Sequence, residues 1–533
     1  MVLTVLGAAY DALVPKQYVY HICGGLLALY VIRILAQGRM TSRDRDLHAR
    51  VILMTGAFTP LGLTLMESLA ARGAHIIALT PEPIATSSPN TTPTNPPASD
   101  PPSNTPATSS ENDPAIPPPH LSRTALLIDA IRSASNNPNI YAEHCDIESP
   151  AHIRTFCTRF LTGNDTRLDS IIFAHEGPHI GKVIGARKSS EVADEKHRSA
   201  RSLATFLLTT LLLPALLVAP SERDIRILHV VNPFYAAGAG VAKKRDKGRG
   251  LKLACNFPGV LNVESDGKSA VAGLLPREGA RALRTIVYTR HLQRILDALP
   301  SAQVPKTDAE AAGGAAAASV PVVSQKDQRS NITAVTVSPG ISRLTTVAPM
   351  LGVGDSDRWS LRAFIIYILL NPFLRLFVKG PTAAAQSALH ALFVPTAFKV
   401  VGGGVEKDKE EPGGAGKPIR TRQEVLKPGA LYAECAVVPL AVDVPEEWLE
   451  DDKKDEEKSK SADKGKGKGT DKGKSTATEE TLTLSDDGEY GGERAGRAVW
   501  EAFEAALKVW EASEEKKPEG EKKPTGGAAA SSA

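Results

Sequence analysis

Charge of one sign, paired cysteines and internal repeats are all missing from this sequence. Positive and negative residues are mixed, and 63 Lys and Arg against 60 Asp and Glu leave a formal charge of only +3. That balance lacks the basic footprint of a nucleic-acid binder. The five cysteines, Cys23, Cys145, Cys157, Cys255 and Cys435, are odd in number and scattered. They form no CxxC pair and no Cys/His ligand spacing, so no metal site is expected, and a reducing compartment fits better than a disulfide framework. The apolar N-terminal stretches are followed by no small-residue cleavage site, which argues against a removed signal peptide.

What is present is a foldable core broken by low-complexity tracts. Residues 84–119 are rich in Pro, Ser, Thr and Asn and cannot bury enough apolar surface to fold. Further inserts are expected at about 238–275, 303–328 and 402–417, a charged tether over 450–490 and a disordered tail over 515–533. Between the last two, residues 492–514 place Val499, Phe503, Ala506, Leu507 and Trp510 at helical spacing, the pattern of an amphipathic helix. At the other end, residues 1–40 are read as a membrane anchor or hairpin. Residues 18–36 are apolar and close to the roughly 20 needed to span, with Arg39, Arg43, Arg45 and Arg50 behind them. That charge pattern puts the main domain on the cytoplasmic side, with the endoplasmic reticulum or a lipid-droplet surface as suitable membranes. A signal or transit segment and a buried helix are the competing readings.

Residues 50–80, RVILMTGAFTPLGLTLMESLAARGAHIIALT, organise the chain. An apolar strand over 51–54 meets a break at Thr55-Gly56. Leu61, Leu65 and Leu69 then recur at helical spacing, Gly73 closes the helix, and 75–79 is a second strand. Such a turn aims backbone N–H groups and a helix N-terminus at one point, which suits a pyrophosphate. Strand and helix keep alternating: helix 121–135, strand 139–144, helix 151–161, strand 169–174, helix 199–218, strand 225–231, helix 281–299, strand 331–338. Pro214 should kink the 199–218 helix or end it early. The alternation implies a three-layer α/β/α, Rossmann-like, doubly wound parallel sheet.

The spacing Thr55-Gly56-x5-Gly62 resembles the cofactor turn TGxxxGxG of the short-chain dehydrogenase/reductase family, with Pro60 in place of the middle glycine. The likeness covers most of 50–440 outside the inserts and is nearest to the retinol-dehydrogenase-like branch. CDIES, LDSIIFAHEG, FLLTTLLLP, VSPGISR, LLNPFLRLFVKGPTAAAQSALHAL and ALYAEC follow in the family's order. The resemblance implies an NAD- or NADP-dependent oxidoreductase. It assigns Thr55, Gly56, Leu61, Gly62, Asp146, Ala174, Pro339 and Gly340 to the cofactor, with Asp146 beside adenine and the last two near the nicotinamide. Thr80-Pro81 supplies neither the acidic residue that favours NAD nor the Arg that favours NADP. The late apolar helix over 359–378 matches a helix pair that covers the substrate mouth in the resembling branch, which suits a hydrophobic substrate from a lipid surface. The family also pairs through its long central helices, so a homodimer is an expectation.

The family's catalytic quartet does not follow. Its tyrosine works because a lysine four residues on makes the phenol usable near neutral pH. Here Tyr235 is followed at that offset by Ala239 and Tyr288 by Leu292. Glu278 and Ala282 fall near the tyrosine and lysine positions, the fifth strand ends Val231-Asn232-Pro233 where the family has its serine, and Arg201 falls near the relay asparagine. Tyr235, Tyr288 and His175 are the remaining catalytic candidates, with Glu176 beside His175. Two functions therefore stand: a membrane-associated oxidoreductase on a hydrophobic carbonyl or alcohol with a rearranged site, or a non-catalytic relative serving as nucleotide sensor, lipid-binding module or scaffold.

Overall fold

The computed structural model describes residues 19–83, 123–163, 167–177, 180–182, 188–220, 222–239, 248–258, 260–261, 273–303, 330–353, 361–396, 424–445, 447–448, 484 and 486–515. The expected inserts at 84–119 and 402–417, nearly all of those at 303–328 and 450–490, residues 1–18 and the tail from 516 lie outside the described residues.

An apolar helix, α1 (Val19–Gln37), precedes the first strand. The core then runs β1 (Val51–Thr55), α2 (Pro60–Ala70), β2 (His75–Thr80), α3 (Arg123–Ser135), β3 (Ile140–His144), α4 (Pro150–Thr162), β4 (Ser170–Phe173), α5 (Lys188–Leu217) and β5 (Ile225–Val230). It continues with α6 (Leu274–Gln303), β6 (Ile332–Ser338), α7 (Leu361–Phe377), α8 (Pro381–Phe393), β7 (Leu431–Ala433), β8 (Ala436–Val437) and α9 (Gly492–Glu515). The sheet order is β3-β2-β1-β4-β5-β6-β7-β8, parallel throughout except for the final β7–β8 pair. The order reverses direction between β1 and β4, so a crevice opens at their carboxyl ends.

Both faces of the sheet are covered, which is why its central strands read as unbroken apolar runs. On one face α2 and α8 pack Leu61, Leu65, Leu69, Ala388 and Leu392 against Ile52, Met54, Ile172 and Val335. On the other, α4, α5, α6 and α9 pack Phe156, Leu203, Leu207, Leu283, Tyr288 and Phe503 against Leu53, Ile171 and Ile227. At the amino edge the carboxylates of Asp169 and Asp224 are buried but neutralised by Arg50, Arg45 and Arg226, as buried charges must be.

Two expectations change. Helix α5 runs on past Pro214 to Leu217: the missing Pro214 N–H costs one backbone bond, but the Val218 N–H still reaches the Pro214 carbonyl at 3.2 Å. The stretch 238–275 is not purely an insert: a helical turn at Arg249–Ala254 buries Leu251 and Ala254, and Phe257 follows them into the core. Of the described helices, one (Ala193–Leu217) is long and apolar enough to cross a membrane; it lies within α5 and is mostly buried in the core. Helices α1 and α7, by contrast, leave most of their apolar side chains exposed.

Candidate active site

The β1–α2 turn is built for close approach. Gly56 has φ +66°, the left-handed region, and a Cβ there would stand 2.7 Å from the backbone of Ala174 and His175. A Cβ on Gly62 would run into the Gly56 carbonyl. Thr59 caps α2, its hydroxyl accepting from the Gly62 N–H at 3.1 Å. Pro60 is the first helical residue, where the missing N–H has no intrahelical partner to lose. The departure from the family pattern is therefore structurally mild. Leu61 is buried behind the turn, and the Ala174 N–H donates to the Thr55 carbonyl at 3.2 Å, joining β1 to β4 at the switch point.

His175 locks the same junction. Its Nδ1 lies 2.7 Å from the Thr55 hydroxyl and its Nε2 3.0 Å from the Arg201 carbonyl. A carbonyl can only accept, so Nε2 carries the proton and Nδ1 accepts from Thr55. Burial holds the His175 pKa below its ordinary value despite the neighbouring Glu176. The Glu176 carboxylate accepts from Thr205 and Thr285, each at 3.0 Å. His175 and Glu176 thus have their partners within the protein.

The positions that match the family's serine and tyrosine are in contact, with different chemistry. The Asn232 amide donates to the Glu278 carbonyl at 2.9 Å and lies 3.4 Å from its carboxylate. Glu278 also accepts from the Gly181 N–H at 3.0 Å and pairs with Arg281 at 2.7 Å. Arg201, at the relay position, pairs with Glu148 at 2.7 Å.

The tyrosine candidates separate. Tyr288 is 1% exposed on α6, wedged among Phe206, His229, Trp500 and Phe503. Burial raises its pKa, and its phenol belongs to the aromatic core rather than the crevice. Tyr235 is half-buried just past the end of β5. Burial and the nearby Glu434 carboxylate raise its pKa. Asp146, after β3, caps a local turn by accepting from the Glu148 N–H at 3.0 Å.

Two residues of this edge lie within segments that resemble the family but are not among the sequence candidates. Lys379 is 6% exposed, donates to the Pro339 carbonyl at 3.4 Å and pairs with Glu434. Glu434 sits in the β7–β8 turn with φ +53°. Gly340, at φ +78°, leaves room for the lysine: a Cβ there would meet Nζ at 2.9 Å. The one sequence signal was a lone Lys at the end of a long apolar helix. Tyr235, Glu434, Lys379 and the Pro339-Gly340 turn lie at the carboxyl ends of β5, β7 and β6, the edge where ligands bind in such sheets.

No family model matches the chain. An uncharacterized oxidoreductase of Saccharomyces cerevisiae is 24% identical over 406 residues, covering 74% of this chain and 81% of the relative. One of Schizosaccharomyces pombe is 21% identical over 365 residues, covering 67% and 73%. Among solved structures, a short chain dehydrogenase from Salmonella enterica serovar Typhi is 14% identical, with TM-score 0.33 over 63% of this chain and 93% of that one. A Shigella flexneri short chain dehydrogenase complexed with NADP is also 14% identical, with TM-score 0.32 over 63% and 97%. These names do not distinguish a retinol-dehydrogenase-like branch. By its strand order and its Gly56–Gly62 turn the chain has a Rossmann-like α/β fold, and the two curated relatives it resembles are described as oxidoreductases.

Proposed function

We propose that the protein is a membrane-associated, NAD(P)-dependent oxidoreductase acting on a hydrophobic carbonyl or alcohol. The observation that carries this reading is the Gly56 turn, packed against Ala174 so closely that no side chain fits, at the switch point beside the N-terminus of α2. These residues suit a dinucleotide: the Gly56 turn would receive the pyrophosphate, backed by Leu61 and Gly62, while Asp146 would lie beside adenine, Ala174 would support the cofactor, and Pro339 and Gly340 would lie near the nicotinamide. When bound, the cofactor supplies hydride exchange with the substrate carbon. The chain's own part is the proton. Tyr235 is the half-buried phenol of this edge, and burial with the nearby Glu434 carboxylate raises its pKa. It serves as proton donor to the alkoxide that hydride delivery to a carbonyl leaves. Lys379 and Glu434 act as positioning residues, holding the Pro339-Gly340 turn. The exposed apolar helices beside this edge suit an apolar substrate. The non-catalytic alternative, drawn from the missing Tyr–Lys pair, is not favoured by relatives described as oxidoreductases.

Calorimetric titration of NADH and NADPH into the full chain tests this reading. Micromolar binding of either is expected. A carbonyl screen should then show Tyr235→Phe slowing reduction on the order of 100-fold with nucleotide affinity unchanged. No binding at millimolar nucleotide would overturn the oxidoreductase reading.

A further inference from the structure

Helices α1 and α7 lie more than 300 residues apart in sequence yet pack as a pair. Their carboxyl-terminal ends are clamped together: the Arg33 guanidinium donates to the carbonyls of Arg375 and Val378, and the Gly380 N–H donates to the Gln37 side chain at 3.1 Å. Neither helix contains an Asp or Glu. Beyond the clamp both are bare. Leu27 and Leu35 on α1 are 64% and 74% exposed, and Leu369 and Phe373 on α7 are 75% and 62% exposed. A monomer in water does not keep an apolar surface of this extent without an occupant.

The connections of α7 decide how it meets that occupant. Upstream, Gly352 is buried on the domain, and the Val353 N–H donates to the Ala348 carbonyl at 2.9 Å. Downstream, Lys379 is buried at the carboxyl edge of the sheet, bridged to Ser342. Both flanks of α7 thus return to the same body. If α7 crossed a bilayer, the sequence 354–360 that joins Val353 to Leu361 would cross back, carrying Asp355, Asp357 and Arg358 through hydrocarbon. Arg33, Arg362 and Arg375 on the helices, with Arg39 just after α1, match the charge of lipid phosphates.

We propose that α1 and α7 form one composite platform that lies in the plane of a single leaflet of a lipid bilayer, seating the carboxyl edge of the sheet at the membrane surface. The proposal rests on the membrane association above and adds its geometry: the chain lies on the membrane and does not span it. Because α7 leads directly into Lys379, the platform places the Pro339-Gly340 edge next to the lipid.

The test uses the full chain with an N-terminal epitope tag, added from detergent to preformed phosphatidylcholine vesicles with or without phosphatidylserine. The chain is expected to float with the vesicles, more so with phosphatidylserine, and externally added trypsin is expected to remove the tag. Ile365→Asp with Leu369→Asp should reduce the floated fraction on the order of tenfold or more, since two buried aliphatic contacts are lost. Both side chains are exposed, so the melting temperature should hold, and Leu27→Asp with Leu35→Asp provides a second, independent pair. A tag protected inside the vesicles would overturn the in-plane geometry. Undiminished flotation of both double variants would overturn the platform. A lipid-free dimer that dissociates on the same substitutions would assign the surface to a second copy and overturn the lipid assignment. Nucleotide calorimetry reads the oxidoreductase proposal separately, so the two fail independently.

Discussion

Gly56 shows how much one residue holds at this site. Its φ of +66° and the 2.7 Å approach to Ala174 mean that Gly56→Ala carries both a left-handed backbone penalty of about 1–2 kcal/mol and a clash with main chain that cannot yield. We expect it to lower the melting temperature and to weaken NADPH at least about tenfold, measured by thermal denaturation and calorimetry. A second residue-scale expectation concerns acid. Burial depresses the pKa of His175, and takes His229 down to about 3 and His291 to about 4. Below the ordinary value of about 6.5 the unfolded chain binds protons that the folded chain refuses, so stability falls as pH falls through that range. Each such histidine contributes up to about 1.4 kcal/mol per pH unit until its folded pKa is reached. Melting curves at pH 7.5 and 5 should show the loss, and His229→Gln should reduce it. A pH-independent melt would contradict this account.

At the scale of elements, α9 is the instructive case. Its spacing of Val499, Phe503, Ala506 and Trp510 announced an amphipathic helix, and the structure docks it on α4, α5 and α6. Phe503 stacks on Phe206 at 5.1 Å and meets Tyr288 and Phe257 edge-on or tilted. Arg154 pairs with Glu511 at 2.5 Å across the same junction. The helix completes the core that the sheet and α5 leave open. Phe503→Ala should therefore cost about 3–5 kcal/mol in denaturant unfolding, the range for emptying a buried aromatic site. Deleting residues 485–533 should lower the melting temperature further. An unchanged melt on truncation would instead assign α9 to an outside partner.

In the whole molecule, α9 packs on α5 and α6, the two long central helices, and closes the core on that side of the sheet. The same helix accounts for Tyr288 being a core residue: Trp500 and Phe503 close over its ring. Helices α1 and α7 leave most of their apolar side chains outside the core, so they call for an apolar environment other than the core.

The order of strands and helices was legible in the sequence because it rests on local periodicity and on glycines whose backbone demands are local. Gly56, Gly62, Gly340 and the apolar runs of β1, β4, β5 and β6 belong to that class. Pairings across long separations were not legible. Lys379 with Glu434, Asn232 with Glu278, and Arg33 with Val378 are joined only when the sheet and its covering helices bring their ends together. Sequence alone determined the strand order's raw material and the absence of a Tyr–Lys pair. The tertiary structure decided which polar groups share an edge, because burial and charge act through space rather than along the chain.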